Sequence, residues 1–186
     1  MKKYDQLLNK YIPGGAQTYS RGFDQYPDNA PQILSKGDKQ FIYDEKGQTF
    51  LDYGMGLRTI ILGYNNKKVN KAAIKQINNG NNLPRPSEIE LTFAKNLVNT
   101  IPHIEMVKFA KNSSNAVTAA VKVSRAFNKK KLVLRCSDHP FFSFDDWFIG
   151  STPINRGIPE EIKKLTLSFP YKNLIELKKI INKYKN

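Results

Sequence analysis

The sequence predicts an α/β fold built on a mainly parallel sheet. From Val69 onward, helical apolar periodicity alternates with short apolar runs, the order that places helices on the faces of a parallel sheet. Before that point, residues 32–53 form a meander: Ile33-Leu34, Phe41-Ile42-Tyr43 and Thr49-Phe50-Leu51 are strand-like, with turns at Lys36-Gly37-Asp38 and Glu45-Lys46-Gly47. The third observation is a strand-turn-helix unit. Met106 to Ala110 has strand composition, Asn112, Ser113 and Ser114 make a polar turn, and Val117, Ala120, Val121, Ser124 and Phe127 recur at helical spacing.

Composition bounds the function. The 186 residues, 40% hydrophobic and 11% aromatic, suffice for one hydrophobic core, or one domain and a small appendage. Cys136 is the only cysteine, which excludes an internal disulfide and a cysteine metal site and fits a reducing, cytoplasmic setting. The N-terminus, Met1-Lys-Lys-Tyr-Asp-Gln, runs into an amphipathic stretch and is not expected to be a signal peptide. No run is apolar enough to span a membrane. The net charge of +14 suggests a polyanion partner, but its one tight cluster, Lys129-Lys130-Lys131, follows a helix end where cations are commonly solvated. No helix-turn-helix, zinc or RNP-type pattern supports nucleic-acid binding.

In chain order, Lys3 to Tyr11 is helical, with Tyr4, Leu7, Leu8 and Tyr11 on one face, and Pro13-Gly14-Gly15 ends it. The loop from Ala16 to Pro31 is long for a compact domain and carries Thr18, Ser20 and Arg21. In an active-site loop Arg21 would be a carboxylate clamp, because its planar fork matches a carboxylate bidentately; elsewhere it is a surface residue. Gly54, Gly56 and Gly63 mark a turn or a close backbone approach. Val69 to Ile77 is a helix with Val69, Ala72, Ala73 and Ile77 inward. Ser87 and Glu90 make a capping box for a helix burying Ile89, Phe93, Ala94 and Leu97. Leu132-Val133-Leu134 and Ile162 to Leu167 are strands, and Asn173 to Tyr184 is a final amphipathic helix.

The turn before the helix of Val117 is a candidate anion site. The first helical N–H groups lack an internal partner and the macrodipole favours negative charge there. Ser113 and Ser114 add hydroxyl donors, and one of them is the expected N-cap. Plain capping is the competing reading, and the glycine spacing of a P-loop or dinucleotide fingerprint is absent.

Several stretches in order carry a resemblance. Pro13-Gly14-Gly15-Ala-Gln-Thr18-Tyr-Ser-Arg21 resembles the N-terminal signature of glutamate-1-semialdehyde aminomutase and its aminotransferase relatives. The meander Phe41 through Asp52-Tyr-Gly54-Met-Gly56, then Leu62-Gly63-Tyr64, resembles the opening of class III pyridoxal-phosphate aminotransferases. Lys111-Asn-Ser-Ser-Asn-Ala-Val-Thr-Ala-Ala is similar to that family's phosphate-cradling turn. Cys136-Ser-Asp-His139, Asp146-Trp-Phe-Ile-Gly-Ser-Thr and Asn155-Arg-Gly-Ile-Pro resemble a subgroup of aminomutase-like enzymes.

The resemblance implies a fold type I, aspartate aminotransferase-like PLP-dependent transferase, present here as its N-terminal part. Residues 1–66 would be the N-terminal helix, substrate-arginine loop and meander, and 67–186 the first part of the PLP-binding large domain. It implies pyridoxal 5'-phosphate as cofactor, held by Ser113 and Ser114, with His139 packed near the cofactor ring. Arg21, assisted by Thr18, would take the carboxylate of an amino acid or amino-aldehyde substrate. It implies a homodimer, or a separate C-terminal half as partner. The family's Schiff-base lysine and cofactor-pairing aspartate fall in segments after the point where this sequence stops, so no catalytic lysine is assigned, and Asp145 and Asp146 are taken as loop or cap residues. The chain departs from the family in having Ser113 for glycine, Asn115 for an acidic residue, Asp138 for the aromatic before His139, and Pro140 for the glycine after it. Phe141 or Phe142 could then be the stacking face, with ordinary core packing as the alternative. The function implied is amino transfer by an aminotransferase or aminomutase; the alternatives are an inactive remnant or a phosphate-ligand-binding interaction module.

Overall fold

Helix α1, Lys3–Tyr11, stops where Gly14 turns left-handed at φ 73 inside a 3-10 turn, Pro13–Gly15. The coordinates come from a computed structural model that describes residues 3–139 and 141–184, so the expectation for Pro140 lies outside the described residues. The chain falls into two units, Met1–Ser87 and Glu88–Asn186.

In the first unit, two further 3-10 turns, Tyr19–Arg21 and Phe23–Gln25, shape the loop before the meander. Strands β1 (Leu34–Asp38), β2 (Phe41–Asp44) and β3 (Thr49–Leu51) form an antiparallel sheet in that order. Buried Asp44 sets the β2–β3 turn: its Oδ1 accepts from the N–H groups of Lys46 at 2.9 Å and Gln48 at 2.8 Å. Tyr64 closes the other end of the sheet. It exchanges backbone bonds with Lys39 at 2.9 and 2.7 Å, and its ring lies so close to β1 that a Cβ on Gly37 would come 2.5 Å from it. Between them, Met55–Arg58 forms helical turn α2. Its four residues are left-handed, with φ 47, 56, 62 and 69, and only the second is glycine. Helix α3, Lys67–Asn78, is capped by Asn66, which accepts from Lys68 and Val69 N–H.

The second unit opens with α4 (Glu88–Thr100) and α5 (Ser113–Asn128). Strands β4 (Val133–Cys136) and β5 (Thr166–Phe169) pair in parallel, from Val133 opposite Thr166 to Cys136 opposite Phe169. Short helices α6 (Asp146–Ile149) and α7 (Glu160–Lys163) lie between them in sequence, and α8 (Leu174–Lys183) follows with Asn173 as its cap.

Four expectations fail here. The strand expected at 162–167 lies at Thr166–Phe169, because Pro159 with Glu160 and Glu161 starts a helical turn that takes up Ile162. Met106–Ala110 is not a strand: none of its backbone groups joins a hydrogen-bonded ladder, and a strand exists only against a partner. The inward faces expected of α3 and α4 are largely uncovered, with Val69, Ile77, Ile89 and Phe93 all at least half exposed and only Ala94 and Leu97 half-buried. No hydrogen bond closes a Ser87–Glu90 capping box.

Phe148, 5% exposed, is the only buried hydrophobic side chain among the described residues. The accessible surface is 15730 Å². Two independently folded bodies sharing the 21.3 kDa would expose about 11,000 Å². Among the described residues no helix is long and apolar enough to cross a membrane, and no cluster of His, Cys, Asp and Glu could hold a metal ion.

Candidate functional site

The site residues expected from sequence fall into two groups, one in each unit. In the first unit, the 3-10 turn brings Thr18 and Arg21 together: the Arg21 N–H donates to the Thr18 carbonyl at 2.9 Å. Both are exposed, and Arg21 lines a cleft of about 1120 Å³ with Phe23, Tyr26, Ile42, Asp52 and Tyr64. The Arg21 charge is felt at the Tyr64 hydroxyl, whose pKa it lowers against the larger upward effects of burial and of Asp52.

Asp52 is the residue that organises this cleft, and the sequence reading assigned it no role. Its Oδ1 accepts from the Gly54 N–H at 2.8 Å and its Oδ2 from the Tyr64 hydroxyl at 2.7 Å. Burial pushes its pKa up. The Tyr64 bond and the backbone N–H groups of Gly54, Met55 and Gly56 outweigh that, and hold it below the ordinary 3.8. The carboxylate therefore grips the left-handed turn α2 more tightly when ionised. A depressed folded pKa gives stability that is full above the ordinary value and lost as pH falls through the folded one. Protection of the Gly54–Gly56 amides, relative to their intrinsic exchange, is expected to be flat above about pH 4 and to fall below it. Asp52→Asn should lower that protection above about pH 4, toward the level the unaltered chain reaches in acid, and remove the pH dependence; an unchanged profile in the variant would show that the carboxylate does not hold the turn.

In the second unit, the turn into α5 differs from expectation in its cap. Asn112, not Ser113 or Ser114, is the N-cap: its φ of −155 is extended and its Oδ1 accepts from the Asn115 N–H at 2.9 Å, while its carbonyl accepts from Ala116. The reason is reach. A cap must stand one residue outside the helix, and Ser113 and Ser114 already have helical places. The consequence favours anion binding: the Ser113 and Ser114 N–H groups, the first two of α5, make no hydrogen bond to any of the described residues. Ser113 is exposed and Ser114 half-buried, and the first turn carries no acidic side chain.

His139 is exposed, and its Nδ1 accepts from the Phe141 N–H at 3.0 Å. Phe141 is half-buried, edge-on to Phe148 at 5.1 Å, whereas Phe142 is 60% exposed. Asp145, expected to be a loop or cap residue, precedes α6 without capping it through its side chain. Its Oδ2 accepts instead from the hydroxyls of Thr118 at 2.6 Å and Ser143 at 3.1 Å. Those partners lie 27 and 2 residues away, and the longer separation has no signature in sequence spacing.

A family model described as aminotransferase class-III matches residues 23–174. Among solved structures, the FumI protein of Sphingopyxis sp. MTA144, in its PLP internal aldimine form, is 24% identical with a TM-score of 0.86 over 97% of this chain and 42% of that one. An omega-transaminase from Sphaerobacter thermophilus is 21% identical with a TM-score of 0.86, over 98% and 44%. A glutamate-1-semialdehyde-aminomutase from Pseudomonas aeruginosa PAO1 is 16% identical with a TM-score of 0.78, over 97% and 41%. These likenesses show a common fold, that of PLP-dependent fold type I enzymes, and the chain spans less than half the length of each structure.

Proposed function

The chain belongs to the class III aminotransferase family, and from that premise we propose that it supplies the substrate loop and the phosphate-binding part of a PLP-dependent aminotransferase or aminomutase, similar to glutamate-1-semialdehyde aminomutase. The observation that carries the reading is the pair of N–H groups at Ser113 and Ser114, bonded to none of the described residues, outside the Asn112 cap and free of acidic neighbours in the helix's first turn. A doubly charged phosphate fits such a helix start, and the serine hydroxyls extend the donor set. Pyridoxal phosphate, when bound, supplies the electron sink for amino transfer. Arg21 orients the substrate carboxylate, with Thr18 fixing the turn that presents it. His139 would stand beside the cofactor ring. Residues 1–66 carry the substrate loop and 67–186 the first part of the cofactor domain. The covalent lysine and the dimeric or complementary partner come from outside these residues, in a reducing cytoplasm that suits the lone thiol of Cys136.

The test is binding of pyridoxal phosphate, read by hydrogen exchange over residues 113–116. The cofactor is expected to slow exchange there. Ser114→Asp should weaken binding by about tenfold or more through like-charge repulsion while firming the free helix start. Loss of stability together with unchanged cofactor affinity would refute the assignment. The second reading, an inactive remnant or phosphate-ligand-binding interaction module, shares this binding result and differs only in turnover once the remaining length of the fold is provided.

A further inference from the structure

The run Ser143-Phe-Asp-Asp-Trp147 has no part in the proposed function, yet it holds the most connected side-chain hydrogen-bond cluster of the second unit. The Thr118 hydroxyl is used twice: it donates to Asp145 Oδ2 at 2.6 Å and accepts from Trp147 Nε1 at 2.8 Å. Ser143, fully buried, donates to the same carboxylate oxygen at 3.1 Å and accepts from the Asp145 N–H at 3.2 Å. The Trp147 carbonyl accepts from the hydroxyl of Thr166, a buried residue on β5, at 2.6 Å. The cluster therefore ties the middle of α5 to the parallel strand pair through one loop.

We propose that Thr118 and Asp145 are positioning residues for the phosphate: by clamping α5 to the Ser143–Trp147 loop they set where the Ser113 and Ser114 amides stand. This rests on the phosphate reading above. A threonine within a helix ordinarily bonds back to its own helix, four residues earlier. Here the hydroxyl leaves the helix for a carboxylate and an indole, so its hydrogen-bonding capacity is spent on fixing α5 from outside. Thr118 lies five residues beyond Ser113, about 7.5 Å along a rigid helix, so a slip at the clamp is carried undamped to the first turn. The bonds are charge-assisted and partly buried, which makes an alternative placement of the helix costly. If the clamp sets the anion site, anion binding must in turn firm the clamp, because the coupling is reciprocal.

Trp147 is the only tryptophan, so its emission reports on the clamp alone. The experiment uses the full chain at submicromolar concentration with inorganic phosphate as the probe. Exchange over residues 113–116 gives the binding midpoint, and Trp147 emission gives the state of the clamp. Thr118→Val is expected to red-shift the emission and raise the phosphate midpoint about tenfold or more, the scale of one hydrogen bond to a charged group. Thr118→Ser, which keeps the hydroxyl, should restore both. Phosphate should also shift Trp147 emission in the unaltered chain and not in Ser114→Asp. A red shift in Thr118→Val with an unchanged midpoint would overturn the positioning role while leaving the phosphate reading standing. No phosphate effect on residues 113–116 of the unaltered chain would overturn both. If Thr118→Val exchanges as an unfolded chain, Trp147→Phe removes one donor and keeps the Thr118–Asp145 bond, and an unchanged exchange midpoint in that variant counts against the proposal.

Discussion

Phe148→Ala is expected to abolish the cooperative unfolding of the second unit. Phe148 is 5% exposed and stands at the centre of an aromatic cluster. Phe141 at 5.1 Å, Trp147 at 5.6 Å and Phe142 at 6.2 Å all meet it edge-on. The Arg135 guanidinium lies over its ring at 4.9 Å, held there by bonds from Nε to the Ser151 hydroxyl and from Nη2 to the Ser151 carbonyl. Truncation to alanine removes the ring from every one of these contacts and costs about 3–5 kcal/mol. A small domain has little more than that in total. The measurement is a urea transition followed by Trp147 fluorescence. Phe148→Leu should keep a transition at lower urea, whereas a loss of less than about 1 kcal/mol in Phe148→Ala would show that the cluster is not the core.

The second large effect concerns the chain in solution. Its 15730 Å² of accessible surface exceeds what two separate folded bodies of this mass would show by about 4,700 Å². The excess is apolar in part: Phe127 is 86% exposed, Ile175 83% and Met106 90%. It is comparable to the whole surface buried in a large obligate interface. The chain alone is therefore expected to self-associate at micromolar concentration and to bind hydrophobic dyes. Sedimentation across a hundredfold range of concentration would show the average mass rising. A strict monomer with a single cooperative melt would contradict this.

Much of the fold was legible because its signals are local. The strand order of the meander, α1, α3 and α8 follow from periodicity, although the turn expected at Lys36-Gly37-Asp38 is part of β1, paired with β2, and Asn66 and Asn173 cap the helices they precede. What failed depends on distant partners. Val107 and Phe109 have strand character, but the ladder that would make Met106–Ala110 a strand is not formed by any described residue. Ile162 and Leu165 belong to a short apolar run that periodicity cannot assign to helix or strand. The turn into α5 lies where the sequence placed it, and its cap was misassigned by one residue, because Asn112, Ser113 and Ser114 are all good caps. The pairs Asp52–Tyr64 and Thr118–Asp145 join residues 12 and 27 positions apart, and no spacing rule connects them.

The backward-wound turn at Met55–Arg58 behaves as a wound spring. Met55, Leu57 and Arg58 each resist that winding by about 1–2 kcal/mol, tension that persists only while Asp52 and Tyr64 keep the catch closed. Opening the catch would let the segment recoil toward ordinary backbone and reshape the wall of the cleft that Arg21 lines. Glycine at position 57 would slacken it and leave the wall indifferent to whether the catch is set.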